Sequence, residues 1–318
     1  MANKKISDLA AVATAALSDF LALETASGTK KITFQNFMSV LTPKTAAAHN
    51  AIFRGKDLTG VYTIAQISAM ITAGTFDDLY IGDYFDVTIS TTYTASEVVR
   101  CVFAGFDTFM NNGDTALSSH HAAIVTKNCF AATAKMNSTN TTGVSQNTDN
   151  PVGVSAEAAN QKGAYYGSDM NQIVLPVYAA ALQTALSNHI VTRRALLSDK
   201  IGADLQSNAG AGFTGASSNW AWYDTKLSLL SEMQVYGGNV LSSSFYDTGC
   251  DNQQLPLFAL DPTAKVCGAG GTGSGGRQWY WLKNVASATH FASVYDRGHS
   301  AYIDASNSIG VRPLFVIR

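Results

Sequence analysis

Val311-Arg-Pro-Leu-Phe-Val-Ile317 is the stretch on which the reading of the fold turns. It is apolar except for Arg312, β-branched or aromatic at several positions, and short, so it reads as a strand. Working back from it, Leu227–Leu230, Trp279–Leu282, Phe291–Tyr295 and Ala301–Asp304 have the same character, with Gly, Asn and Asp between them. Short strands punctuated in this way argue for an antiparallel sheet carrying long irregular loops.

Further upstream the periodicity changes. Thr63–Ala73 places Ile64, Ile67, Met70 and Ile71 at helical spacing and stops at Gly74. Strands are expected at Phe85–Ser90 and Val98–Asp107. Residues 131–163 are rich in Asn, Thr and Ser and read as a long exposed loop, with sequons at Asn137 and Asn140 that a bacterial cytosol would leave bare. Asn171–Ile190 is the strongest helix signal, with Ile173, Val177, Ala181, Ala185 and Leu186 on its apolar face and Pro176 in its first turn. Helices before a strand-rich last third give an α+β class, and no internal repeat is visible.

Residues 1–45 are distinct from residues 46–318. Phe20-Leu-Ala-Leu-Glu-Thr25 alternates like a strand, Ala26–Lys30 reads as a turn, Lys31–Phe34 as a second strand and Gln35–Leu41 as a short helix ended by Pro43. A hairpin with one short helix is too small to stand alone, so it must dock on a partner. Leu9, Phe20, Leu21, Ile32 and Phe34 are its candidate oligomerisation or anchoring residues.

Composition narrows the function. Hydrophobic residues make up 46% of the 318 and charged residues only 14%, against about 25% charged in ordinary soluble domains. A large core is therefore available, and the surface is built from neutral hydroxyls and amides, as suits an extracellular fibre or adhesin. The net charge is −2, and no basic run interleaves with aromatics, so no nucleic-acid partner is expected. No apolar run reaches the roughly 20 residues of a bilayer span, and the alanine-rich start is broken by Asp8 and Asp19. Neither a membrane association nor a signal peptide is expected. Synthesis in the cytosol, with release in a particle by lysis, fits this pattern. The four cysteines, Cys101, Cys129, Cys250 and Cys267, show no metal-binding spacing. They read either as isolated thiols or as holding one bridge, Cys250–Cys267.

Motifs for chemistry are weak. Gly268–Gly276 contains a GxGxxG, but Arg277-Gln-Trp-Tyr-Trp-Leu282 after it reads as a strand where a dinucleotide loop needs a helix. His120-His121 lacks a ligand at metal-site spacing, and Asp77, Asp78, Asp83 and Asp86 lack the alternation of a calcium loop, so turn-forming and capping roles are expected for these aspartates. No nucleophile elbow or paired-carboxylate signature is present. No cofactor, metal or catalytic residue is expected. The aromatic-polar segments carry more: Trp220-Ala-Trp222-Tyr223, and Tyr295-Asp-Arg-Gly-His299 with Tyr302. Rings supply contact area at low entropic cost, and polar neighbours give direction. Trp222, Tyr295, Arg297, His299 and Tyr302 are the candidate receptor-binding residues, with core packing as the alternative.

Three groups of residues carry a resemblance. Lys5-Ile-Ser-Asp-Leu9, Phe20–Thr25 and Gly28-Thr-Lys-Lys-Ile-Thr-Phe34 resemble the short anchor module at the start of many phage fibre and baseplate-associated proteins. His49–Leu58 with Gly74–Tyr84 resembles structural proteins of phages of gut Firmicutes. The rest is similar to a domain of unknown function common in such phages, through Gly82-Asp-Tyr-Phe85, Gly163–Met170, Trp222-Tyr-Asp224, Leu229-Leu-Ser-Glu232, Val235-Tyr-Gly237, Leu255-Pro-Leu-Phe258, Trp281-Leu-Lys283 and Gly310–Phe315. The ending also resembles the final strand of C-type-lectin-like folds. The calcium-sugar motifs of animal lectins are missing, as is the cysteine pair of formylglycine-generating enzymes.

The resemblance implies a virion protein: a homotrimeric fibre or appendage subunit with an N-terminal anchor and a C-type-lectin-like head. Its partners would be other copies of itself, other virion proteins and a host-surface polysaccharide or protein. A purely structural head-fibre, decoration or baseplate subunit is the alternative. A glycan-degrading enzyme would need two converging carboxylates, and a secreted adhesin would need an export signal.

Overall fold

Two units divide the chain, Met1–Lys44 and Thr45–Arg318. The computed structural model describes residues 20–25, 28–33, 45–143, 162–201, 217–242, 253–270 and 276–318. In the first unit β1 (Phe20–Thr25) pairs antiparallel with β2 (Gly28–Thr33), placing Leu21 opposite Ile32 and Phe20 opposite Thr33. The second strand thus begins earlier than Lys31. Leu9, Phe34 and the expected helix at 35–41 lie outside the described residues.

The second unit opens with a single helical turn, α1 (Ala46–His49). Thr63 then starts α2 (Ile64–Thr72) with a reciprocal cap: its side chain accepts from the Gln66 amide while Gln66 reaches back to the Thr63 amide. Ile67 and Ile71 point into the core. Strands β3 (Tyr84–Ile89), β4 (Glu97–Phe106) and β5 (Ala122–Thr126) follow as an antiparallel meander.

After β6 (Ala134–Lys135) comes a π-helical turn, Met170–Val174, continuous with α3 (Leu175–Ala185). Leu175, Tyr178, Leu182 and Leu186 are the buried set, whereas Ile173, Val177, Ala181 and Ala185 are only half-buried. The apolar face expected from regular 3.6-residue spacing is therefore corrected.

A two-stranded ribbon, β7 (Arg193–Ile201) with β8 (Ser217–Thr225), has no counterpart among the expected strands. Beyond it lie β9 (Leu227–Leu229), α4 (Glu232–Tyr236), α5 (Pro256–Leu260), a 3-10 turn at Pro262–Lys265, and the short pair β10 (Cys267–Gly268) and β11 (Arg277–Gln278). Next, β12 (Tyr280–Val285), β13 (His290–Val294) and β14 (Ser300–Asp304) form a three-stranded antiparallel sheet. β15 (Ser308–Ile309) returns to pair with β6.

The last strand, β16 (Pro313–Ile317), enters the main sheet between β5 and β9, giving the order β3-β4-β5-β16-β9. Every residue of β16 is buried, which explains its unbroken apolar character. Pro313 takes the first position of the strand, where a missing N–H costs least. The class is mixed helix and strand, with antiparallel sheets throughout.

The loop expected from residue 131 is exposed at Ala131, Thr133, Lys135, Ser138 and Asn140 but turns inward between them. Met136, Asn137 and Thr142 are fully buried. Asn137 donates to the Thr141 carbonyl at 2.6 Å and accepts from the Asp169 amide, and the Thr142 hydroxyl donates to the Ser287 carbonyl. Its polar residues satisfy one another inside the fold, and composition alone reads such a segment as solvent-facing. No helix among the described residues is long and apolar enough to cross a membrane.

Candidate functional site

The hairpin turn between β13 and β14 brings three of the five candidate residues together. Tyr295 N–H donates to the His299 carbonyl and Gly298 N–H to the Tyr295 carbonyl, both at 2.9 Å. Gly298 sits at φ 86°, in the left-handed region, and a Cβ there would press within 3.3 Å of Lys265 and Val266. The turn is thus seated on the 3-10 segment. Tyr236 Oη donates to the Gly298 carbonyl from α4.

Three rings line up across this turn. Trp279 and Tyr295 have centroids 3.8 Å apart, and Tyr295 and His299 4.7 Å. Arg297 and His299 are exposed, while Tyr295 and Trp279 are half-buried. Beside the rings is an open depression of about 610 Å³, lined by Arg297, Arg277, Asn128, Thr263, Val266 and Cys267 among others. Its described lining holds two guanidinium groups and no carboxylate.

A buried carboxylate braces the base of the turn. Glu232 is fully buried. It accepts hydrogen bonds from the amides of Val240, Leu241 and Ser242 and from the hydroxyls of Ser242 (2.7 Å) and Ser300 (3.0 Å). Ser300 opens β14. Five donor groups replace the lost water shell, and no cationic side chain among the described residues pairs with this carboxyl group.

The depression's floor is electrostatically unusual. Cys267 Sγ lies 2.9 Å from Cys129 Sγ. Burial pushes both thiols up, but on Cys267 the hydrogen bond to Cys129 and the Arg312 guanidinium outweigh it and bring the thiol below its ordinary range. Cys129 moves far above that range, through burial and then its contact with Cys267. The pair sheds its first proton easily and its second with difficulty. Cys101, Cys129 and Cys267 are free thiols, and Cys129 and Cys267 are in contact with one another. The partner weighed for Cys267, Cys250, lies outside the described residues.

Two candidate residues stand elsewhere. Tyr302, on β14, packs edge-on to His290 with centroids 5.2 Å apart, and His290 Nε2 lies 3.0 Å from Asp304 Oδ1. That cluster marks the end of the hairpin away from the turn. Trp222 lies half-buried on the β7–β8 ribbon opposite Leu196, and its carbonyl accepts from Arg194. Its neighbour Tyr223 stacks on Tyr166 and donates to Asp199.

The remaining polar motifs resolve into structural contacts. Asp83 holds Arg54 through both carboxylate oxygens and accepts from the Lys56 and Tyr80 amides. Asp78 pairs with Arg54 and Lys56 and accepts from Tyr62 Oη, and Asp86 pairs with Arg100. Asp77 and Asp78 sit in a turn as expected, while Asp78, Asp83 and Asp86 serve as ion-pair partners rather than helix caps. Asp107, distant in sequence, meets both His120 and His121. Among the described residues no group of three or more His, Cys, Asp or Glu is placed to hold a metal ion.

Sequence reasoning missed Trp279, Arg277 and Asn128 as members of the site. Trp279 and Arg277 follow the glycine-rich stretch, whose flanking Gly268 and Gly276 line the depression. A glycine-rich link between two very short strands was the available signal. Comparison of the chain with protein-family models, with curated proteins and with solved structures finds no match.

Proposed function

We propose that this chain is a bacteriophage virion protein, a fibre or appendage subunit whose second unit attaches to a glycan on the host surface. The observation that carries the reading is the Trp279–Tyr295–His299 row beside the Arg277 and Arg297 guanidinium groups. Aromatic rings offer flat faces to the C–H face of a sugar, and guanidinium groups donate to its oxygens. Without a carboxylate in the described lining, such a surface is suited to holding a glycan rather than cleaving it. A shallow site of this kind gains from repetition: several copies on one particle raise avidity by about 10²–10⁴ over a single head. In this reading the hairpin unit supplies the anchor and the self-association, as a homotrimer.

The test is labelling of a panel of gut Firmicutes with a fluorescent fusion of the full-length chain. Strain-selective labelling that falls at least tenfold with Arg297→Ala or Tyr295→Ala is expected. Attachment of the chain to phage particles with no labelling of any strain would overturn the receptor reading in favour of a purely structural subunit.

A further inference from the structure

The end of the β13–β14 hairpin away from the Tyr295–His299 turn carries a second constellation. His290 opens β13 and stands directly opposite Asp304. Its Nε2 lies 3.0 Å from Asp304 Oδ1, and its Nδ1 lies 2.8 Å from Ser287 Oγ in the tight turn after β12. The Ala286 and Ser287 amides close that turn by donating to the His290 carbonyl. Thr142 braces it from outside, its hydroxyl donating to the Ser287 carbonyl and its amide to the Ala288 carbonyl. Hydroxyl, imidazole and carboxylate are thus joined in series on a fixed frame. All three are partly open to solvent, with the His290 side chain 27% and the Asp304 side chain 43% exposed.

The neighbours fix where the protons sit. Ser287 Oγ accepts from the Thr289 amide at 3.3 Å and the His290 amide at 3.2 Å. Both of its lone pairs are engaged, so its proton points at Nδ1. Nδ1 therefore accepts and Nε2–H donates to Asp304, the tautomer a general base needs. Here the hydroxyl meets Nδ1 and the carboxylate meets Nε2, and the imidazole carries charge between its nitrogens in either sense. Ala288 follows the serine, and its N–H donates to no acceptor among the described residues. An oxyanion donor acts from that position. Tyr302, 42% exposed, packs edge-on to His290 and puts an aromatic surface beside it.

We propose that Ser287, His290 and Asp304 form an esterase site for short acyl esters, with the alcohol portion resting against Tyr302. Ser287 Oγ bonds to the ester carbonyl carbon as its proton passes to Nδ1. The carbonyl π pair moves onto the oxygen beside the Ala288 N–H. That pair then returns, the bond to the alcohol oxygen breaks, and the leaving alkoxide takes the proton from Nδ1. Water repeats the sequence on the acyl-serine, releasing the carboxylic acid and restoring the serine hydroxyl. Asp304 stabilises the imidazolium formed in each half and acts as a positioning residue.

The experiment uses the full-length chain and p-nitrophenyl acetate. Hydrolysis is expected with kcat/KM at least about a hundredfold above that of Ser287→Ala or His290→Gln. Asp304→Asn should lower kcat about tenfold and leave KM unchanged, because it orients the imidazole and touches no substrate. A fluorophosphonate, whose fluoride is displaced by an activated serine oxygen, should add to the native parent at Ser287 alone, as mapped by peptide mass. That readout needs no variant and stands even where a substitution fails to fold. The Thr289 hydroxyl also lies 2.8 Å from Nδ1, so an adduct there would overturn the assignment of the nucleophile. No adduct at all, or equal hydrolysis by a folded Ser287→Ala, would overturn the site. The assignment does not rest on the virion reading, and cell labelling can succeed or fail without altering these outcomes.

Discussion

Cys129 and Cys267, 138 positions apart in the chain, come to rest with their sulfurs 2.9 Å from one another against the buried Arg312. A mild oxidant such as diamide should remove one hydrogen from each thiol, forming the disulfide while the azo reagent becomes a hydrazine. Intact mass should fall by two hydrogens, and Cys129→Ala should abolish the change. Closing a loop of this length stabilises a native state by about 4–5 kcal/mol in the chain-entropy account, so the oxidised form should melt higher. An unchanged mass in the native chain would refute the expectation.

Glu232→Gln replaces an acceptor oxygen with an NH₂ group that faces N–H and O–H donors. The five donors now served by Glu232 are then left short of acceptors in a buried site. A loss of at least about 3 kcal/mol is expected in urea unfolding, together with loosening of the Tyr295–His299 turn through Ser300. A variant as stable as the parent would show that the loop at 240–242 contributes little.

Glu97 offers a pH test. It is 8% exposed, Oε2 accepts only from the Ala131 amide, and Oε1 is buried without a partner. Burial raises its pKa above the ordinary carboxylate value. Folding therefore favours the protonated acid. Its contribution is fully present below the unfolded-state pKa and is lost as pH rises through the higher folded-state value. Glu97→Gln should melt above the parent at pH 8, and the gap should close on acidification below the ordinary glutamate range. A gap independent of pH would remove the titration from the explanation.

Gly82 lies at φ 84°, and a Cβ there would stand 2.2 Å from Phe53 Cε2. Gly82→Ala must pay both for the backbone, about 1–2 kcal/mol, and for displacing the ring. Adding Phe53→Ala should recover only the second part. Full recovery in the double variant, read by thermal unfolding, would mean that the backbone carries no strain.

How much was legible follows from which signals are local. Capping at Thr63 and Gln66 and the apolar run ending at Ile317 are written in neighbouring residues, and both elements were found within a residue or two. The face of α3 was misread because Val177, Ala181 and Ala185 make one stripe at helical spacing and Leu175, Tyr178, Leu182 and Leu186 another, and tertiary packing decides which is buried. The β7–β8 ribbon escaped because Arg193, Arg194, Asp199 and Lys200 interrupt any alternation, while its order comes from distant pairs such as Lys162 with Asp199. In the site, Tyr295, Arg297 and His299 share one turn and could be named together. Asn128 and Arg277 reach the same depression from β5's end and from β11, a convergence that only the tertiary fold creates.

The place of β16 in the main sheet has a consequence for biogenesis. A strand that follows all its sheet partners in the chain lies fourth in a row of five, so β5 and β9 have no common neighbour until Pro313–Ile317 have left the ribosome. The nascent chain must carry open edges on β5 and β9 until β16 is made, with pairing partners separated by long stretches of sequence. Closure of the main sheet is thus tied to the making of Pro313–Ile317, and a chain cut before Pro313 would leave β5 and β9 without their shared neighbour.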